Sequence, residues 1–342
     1  MPATELTYGL AALLGALQGV AEFLPISSSG HLSLAQRVAG LDASAGGHSF
    51  NIVVHAGTLL AVLLHYRADL LAIARGVLRP GHVPEDMPKT PGASGHAPKD
   101  RLPGTAPPDG HDPRVAAPHG PPESPTAHGA SDRGGASAPV PEDSLGRASS
   151  GSAPTDARAL LLALVLGTLP LAAALAPPVE GLVIAAELQP KIIGACFLVT
   201  AAMLAFAEWR TRRQPWPQQV PRPLQALLIG LAQLVAILPG ISRSGSTIAA
   251  AMALGLGRLP AARFSFLLAI PAILGASLKE ALDLMRDGLP SADPVAFAIG
   301  FVVSFVVGVA TLRVLLVLLV RVGVMPFVPY LVILGLGVLI LG

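Results

Sequence analysis

The chain has 342 residues, of which 52% are apolar and only 13% are charged, and its mean hydropathy is +0.62. A soluble domain carries about 25% charged residues, so this composition excludes an ordinary soluble protein and indicates a polytopic membrane protein. The net charge of +2 and the lack of a basic-aromatic patch argue against a nucleic-acid partner, and the single cysteine excludes an internal disulfide.

The first apolar stretch, residues 6–24, ends in a polar turn. Pro25 lacks an amide hydrogen and has a fixed φ, so it ends a helix, and Gly30 permits a tight reversal. A second, weaker apolar stretch follows at 32–40. We therefore predict a re-entrant pair of half-helices that meet at the turn.

This first turn carries groups that are costly in a membrane. An unpaired Glu22 costs about 2.5–3.5 kcal/mol there, and Gln18 lies one helical turn earlier on the same face. A carboxylate and an amide, together with a phosphate, suit a hard divalent cation. Ser27 and Ser28 follow, where serine is typical of a helix N-cap, and the His31 imidazole suits proton transfer near neutral pH. The alternatives are a carboxylate at the membrane edge and an interfacial histidine.

Six further segments are apolar and about as long as a membrane span, which needs about 20 residues. They lack period-2 alternation, so they are predicted as helices. The six segments are 48–66, 158–177, 190–208, 264–281, 295–320 and 326–341. His55, within the first, is expected to line or pack the bundle. Arg313, within the fifth, is expected to pair internally or to help bind an anion.

Residues 79–157 differ in kind from the rest of the chain. They are rich in Pro, Gly, Ala and Ser and have almost no large apolar side chains, so burial cannot offset the entropy of ordering. We predict a disordered cytoplasmic insertion between a first membrane region, residues 1–78, and the remaining membrane domain, residues 158–342. Its histidines lack the close pairs typical of metal sites; metal or partner binding by the insertion is the alternative.

A second polar turn follows the apolar residues 224–238 and precedes the weaker apolar stretch 248–257. It reads PGISRSGST from Pro239. A glycine-bearing loop that enters a helix directs free amides at an anion, and the Arg243 guanidinium matches phosphate oxygens. We expect Ser242, Ser244 and Thr247 to complete a phosphate cage. An arginine that reaches to the membrane interface is the alternative.

The two turns are copies of one another, 215 positions apart. GALQGVAEFLPISSSGH from Gly15 aligns with GLAQLVAILPGISRSGS from Gly230. Arginines follow both the first and the third predicted spans, so both span ends are assigned to the cytoplasm. By this count the first re-entrant pair opens to the outside and the second to the inside. The predicted fold is an all-α polytopic membrane protein with six transmembrane helices and two re-entrant helix pairs in inverted-topology repeats.

These two motifs, QGVAEFLPISSSGH from Gln18 and PGISRSGST from Pro239, resemble those of the undecaprenyl-diphosphate phosphatase family, also called bacitracin-resistance proteins. The resemblance includes FSFLL from Phe264 and covers most of the chain outside 79–157. It implies a bacterial inner-membrane enzyme that removes the terminal phosphate of undecaprenyl diphosphate and so regenerates the lipid carrier for cell-wall synthesis. It also implies an active site that faces the periplasm.

The resemblance also implies roles for individual residues. Gln18 and Glu22 would hold a divalent cation, Mg²⁺ or Ca²⁺; many family members have glutamate where Gln18 stands, which implies weaker metal binding here. Ser28 and His31 would be the nucleophile and the proton-transfer group, and which of them attacks stays open. Arg243 would be catalytic and would clamp the diphosphate. The remaining substrate-binding residues would be Ser27, Ser242, Ser244 and Thr247.

Three hypotheses follow. The first is hydrolysis of a polyprenyl diphosphate within the membrane, with membrane lipids as neighbours. The second is a transporter or flippase for an anionic polyprenyl lipid, since broken helices in inverted repeats suit both functions. The third is a non-catalytic scaffold that acts through residues 79–157. The sequence leaves open whether the protein forms a homodimer.

Overall fold

The protein is described here from a computed structural model, which defines residues 6–41, 45–78, 154–213, 217–287 and 293–342. These residues belong to one compact unit. The predicted insertion lies outside the described residues except at 154–157, which begin a helix.

The regular elements of the described ranges are helices, apart from one isolated bridge between Gln218 and Leu256. The first part of the chain forms α1 (Tyr8–Ala21), α2 (Ser28–Val38), α3 (Ala45–His65), α4 (Arg67–Leu78), α5 (Pro154–Thr168) with a 3₁₀ continuation (Leu169–Leu175), and α6 (Pro177–Glu187). The second part forms α7 (Pro190–Thr211), α8 (Pro223–Val235), α9 (Arg243–Ala253), α10 (Arg258–Asp287), α11 (Pro294–Arg321) and α12 (Phe327–Leu341).

Four helical segments of the described residues are long and apolar enough to cross a membrane. They are Ala157–Ala174, Pro190–Thr211, Arg258–Lys279 and Pro294–Arg321, and they correspond to four of the predicted spans. The predicted span 48–66 is one limb of a pair, Ser49–His65 and Arg67–Val77, that is bent by 68° and counts as a fifth crossing only if both limbs form one span. The predicted span 326–341 is a helix of 15 residues. The protein is thus an all-helical membrane protein.

The two polar turns separate pairs of short helices, as their prolines predict. α1 and α2 have 14 and 11 residues, and α8 and α9 have 13 and 11, which is short of a full span. Ser27 caps α2 by accepting from the Gly30 amide at 3.4 Å, and Ser242 caps α9 by accepting from the Gly245 amide at 3.0 Å. The aligned serines therefore have the same structural role in both copies.

The first helix of each repeat packs against a long helix of the other half. α1 packs on α11, and α8 packs on α5. A Cβ atom on Gly15 would lie 2.7 Å from the Gly300 carbonyl oxygen, and one on the aligned Gly230 would overlap the backbone of Gly167. Because only glycine fits at these crossings, the backbones approach closely, as is typical of helix contacts in membranes.

Buried ion pairs connect the helices at one end of the bundle. Glu208, in the last turns of α7, is 1% exposed. It accepts from Arg212 Nε at 3.2 Å and from the Val324 amide at 3.3 Å, and it pairs with Arg258 at the start of α10. Asp69 of α4 pairs with Arg263 of α10. These contacts hold α4, α7, α10 and the α11–α12 connection together.

Candidate active site

The two polar turns meet at Glu22. This residue directly follows α1 and is 6% exposed, and its Oε1 pairs with Nη2 of Arg243, the first residue of α9. Beside this ion pair, Ser244 Oγ donates to the Leu24 carbonyl at 3.3 Å. The two repeats are therefore in direct contact through a buried ion pair and a hydrogen bond.

Three more polar groups lie close to the other carboxylate oxygen of Glu22. Ser28 Oγ donates to Oε2 at 2.6 Å, and Gln18 Nε2 donates to it at 3.0 Å. His55 Nε2, on α3, lies 3.7 Å from the same oxygen. A serine hydroxyl this close to a carboxylate is within reach of a base.

Ser28 and Arg243 are aligned positions of the two repeats, and each is the first residue of its helix. Both side chains reach the same carboxylate. Ser27, just before Ser28, has φ 74° and is the only non-glycine residue with positive φ in the described part of the chain. Its counterpart Ser242 has an ordinary φ of −71°. Backbone strain of this kind concentrates at functional sites, and here it directly precedes the hydroxyl that contacts Glu22.

A cavity of about 1060 Å³ opens from this point. Its polar end includes Glu22, Ser28, His55 and Arg243. The rest of its wall is mainly apolar, although Glu187 and Lys279 also line it. The apolar side chains from α4, α5 and α10 include Leu70, Ile73, Leu161, Leu164, Leu267 and Ile270. A charged end and a long apolar wall match a lipid that has an anionic headgroup.

None of the four predicted substrate-binding hydroxyls lines this cavity. Ser27 and Ser242 are N-caps, and Ser244 contacts the first repeat. Thr247 Oγ1 donates to the Arg243 carbonyl at 2.8 Å and contacts the Ser265 hydroxyl. These four hydroxyls support the turns, while Arg243 faces the cavity.

The structure places His31 away from the carboxylate. Its Nδ1 lies 2.7 Å from the Ser27 carbonyl, and its Nε2 lies 2.7 Å from the Tyr330 hydroxyl. Its ring packs against Phe197 with the ring centroids 5.2 Å apart. His31 is absent from the cavity lining, where His55 is present.

The Nε2 atom of His55 is directed toward Glu22, at 3.7 Å from Oε2. Its Nδ1 lies 2.7 Å from the Asn51 carbonyl oxygen, which only accepts, so Nδ1 carries a hydrogen and Nε2 is the atom free to gain or lose one. The sequence predicts a lining or packing residue at this position, and His55 does line the cavity. An ionisable residue within a membrane span is also an indication of function.

The oxygens near Glu22 fit a cation that arrives with a phosphate. Gln18 Oε1 is buried and has no hydrogen-bond partner among the described residues. No group of three or more His, Cys, Asp or Glu side chains that could hold a metal occurs in that part of the chain. Mg²⁺ commonly takes one or two carboxylates and completes its shell with water and substrate phosphates. Glu22 and Gln18 would supply that limited protein share.

Similarity to known proteins covers almost the whole chain. Residues 11–91 and 141–337 match the family described as Bacitracin resistance protein BacA. An undecaprenyl-diphosphatase of Geobacter metallireducens is 32% identical over 333 residues, covering 96% of both chains. One of Desulfosudis oleivorans is 35% identical over 336 residues, covering 94% of both. One of Korarchaeum cryptofilum is 31% identical over 334 residues, covering 96% of this chain and 97% of the relative.

Proposed function

Because the chain belongs to the bacitracin resistance protein BacA family, we propose that it hydrolyses undecaprenyl diphosphate to undecaprenyl phosphate and inorganic phosphate. This activity returns the lipid carrier to cell-wall synthesis. The observation that carries the proposal is the Ser28 hydroxyl 2.6 Å from a carboxylate that also binds Arg243, at the polar end of an apolar cavity. The headgroup enters the polar end, and the prenyl chain lies along the apolar wall.

In the first step Ser28 Oγ attacks the terminal phosphorus and gives its proton to Glu22. The bond between Oγ and phosphorus forms, the bond from that phosphorus to the bridging oxygen breaks, and undecaprenyl phosphate leaves. Arg243 and the amino ends of α2 and α9 offset negative charge on the transferred group. Water then attacks the phosphoserine and gives a proton to His55. The bond between phosphorus and Ser28 Oγ breaks, Oγ takes back the proton held by Glu22, and inorganic phosphate leaves.

A divalent cation, Mg²⁺ or Ca²⁺, is proposed as the cofactor, held by oxygens of Glu22 and Gln18. When bound it would neutralise charge on the diphosphate. The unpartnered Gln18 Oε1 supports this assignment.

We further propose six crossings and two re-entrant pairs in inverted repeats, in a bacterial inner membrane, with the active site open to the periplasm. The six crossings are the four long helices, the bent α3–α4 pair and α12. The cross-packing of α1 on α11 and of α8 on α5 supports this arrangement, as do the arginines near the α7 and α11 carboxyl ends and Asp293 at the opposite end of α11.

Phosphate release from undecaprenyl diphosphate by the purified protein in detergent tests the function. We expect activity that EDTA removes and Mg²⁺ or Ca²⁺ restores. A transporter needs an anion site but has no use for a hydroxyl that is hydrogen-bonded to a base. Movement of the lipid across vesicle membranes without phosphate release would therefore contradict the proposal.

A further inference from the structure

Gln233 on α8 is a buried amide that has no internal partner. It is 1% exposed, and neither its Nε2 nor its Oε1 has a hydrogen-bond partner among the described residues. The same residue lines the large cavity. Buried polar side chains are nearly always hydrogen-bonded, so this one requires an explanation.

Comparison with the first repeat indicates which hydrogen-bond partner Gln233 lacks. Gln18, the aligned residue of the first repeat, donates Nε2 to the carboxylate of Glu22, four residues later, at 3.0 Å. In the second repeat Ile237 stands at the position of Glu22, and it lines the cavity beside Gln233. The second repeat thus keeps the amide donor and has lost the anionic acceptor.

We propose that Gln233 binds the substrate headgroup, with Nε2 donating to an anionic phosphate oxygen that takes the place a carboxylate has in the first repeat. Together with Arg243, also on the cavity wall, it would supply the second repeat's share of phosphate recognition. Arg243 provides charge, and Gln233 provides a neutral, directed donor. The identity of the headgroup rests on the proposed function, whereas the unpartnered amide rests on the geometry alone, and the anionic character of its acceptor rests on the comparison with Gln18 and Glu22.

Replacement of Gln233 by methionine, which has a similar shape and no hydrogen-bonding amide, tests this role. A hydrogen bond to a charged group is worth about tenfold or more in affinity, so Gln233→Met is expected to raise the KM for undecaprenyl diphosphate about tenfold with little change in kcat. Gln233→Glu is expected to raise KM further, because its carboxylate repels the phosphate. The Tm of ligand-free Gln233→Met is expected to equal or exceed that of the unaltered protein, since an unsatisfied amide is removed.

Gln225→Met is the matched control on the same helix. Gln225 is outside the cavity lining, and its Nε2 donates to the Leu254 carbonyl at 2.7 Å. This variant is expected to lower Tm and leave KM unchanged. If Gln233→Met lowers Tm and leaves KM unchanged, Gln233 binds only a water and the proposal is overturned. An equal rise in KM in both variants would overturn it as well.

A second readout separates this proposal from the proposed function. Inorganic diphosphate with Mg²⁺ is expected to raise the Tm of the unaltered protein and of Gln225→Met, and to raise that of Gln233→Met much less. This comparison holds even if the protein hydrolyses no prenyl diphosphate. Equal shifts in all three proteins would contradict an anion contact at Gln233.

Discussion

At the scale of single residues, Glu22 connects the two repeats, because its carboxylate accepts hydrogen bonds from side chains of both. A buried carboxylate is stable only when its lone pairs are used, and loss of one partner leaves an uncompensated charge. Arg243 binds one oxygen, and Ser28, Gln18 and His55 surround the other. The same contacts that compensate the buried Glu22 carboxylate place it beside the Ser28 hydroxyl.

The two histidines near the first turn are predicted to differ in what they contribute. His55→Gln is expected to lower kcat about 100-fold, the low end of general acid–base contributions, with Tm unchanged. His31→Gln loses contacts with Tyr330 and Phe197, so its smaller loss of kcat is expected to accompany a lower Tm. Steady-state kinetics and thermal unfolding in detergent measure both. A larger kcat loss with normal Tm in His31→Gln would contradict the assignment of proton transfer to His55.

Gln18 is predicted to limit cation affinity. Gln18→Glu adds a second carboxylate to the pair, so the Mg²⁺ concentration for half-maximal activity is expected to fall several-fold. Gln225→Glu, which adds the same charge outside the cavity lining, is the control. A titration in which Gln18→Glu needs as much Mg²⁺ as the unaltered protein would argue against a cation at Glu22.

The sequence predicts Glu22, Ser28 and Arg243 as site residues through residue type, because charge and hydroxyls are out of place in apolar sequence, and all three line the cavity. It does not indicate which of the other hydroxyls face the cavity. Ser244 and Thr247 have the right chemistry, yet the helix that starts at Arg243 turns them toward Leu24 and Ser265. Rotation about a helix is decided by packing, which a local motif does not contain.

At the scale of helices, close backbone contacts at aligned glycines hold α1 and α8 in the bundle. Gly15→Ala and Gly230→Ala are each expected to cost about 1–3 kcal/mol through overpacking and to lower Tm and activity together. Gly9→Ala, on α1, is the control, because a Cβ there meets nothing within 4 Å. Its Tm is expected to stay the same or rise. A Tm for Gly15→Ala equal to that for Gly9→Ala would contradict the close contact with Gly300.

Helix ends are predictable here because prolines, glycines and capping serines mark them locally. Pro25 and Pro239 predict a helix break at each polar turn, and the structure has both breaks. The 68° bend between α3 and α4 has no such marker, since neither proline nor glycine stands at Tyr66. That bend brings Leu70 and Ile73 to the cavity wall, a tertiary effect that the local sequence does not indicate.

At the scale of the whole molecule, residues 79–153 are predicted to be dispensable for catalysis. Arg158 Nε donates to the Gly76 carbonyl at 3.3 Å, so the end of α4 and the start of α5 are adjacent and a short Gly/Ser linker can join them. Replacement of 79–153 by such a linker is expected to leave kcat/KM and Tm essentially unchanged. A loss of kcat/KM with normal Tm would show that the replaced segment takes part in the reaction.

The central claim is that the two repeats form one active site through Glu22 and Arg243. A double-mutant cycle of kcat/KM for phosphate release, with Glu22→Gln, Arg243→Gln and the pair together, tests it most directly. Each single change is expected to lower kcat/KM about 100-fold or more, and the double variant is expected to be no worse than the more severe single one. Losses that multiply, as they do at independent sites, would contradict a single shared site.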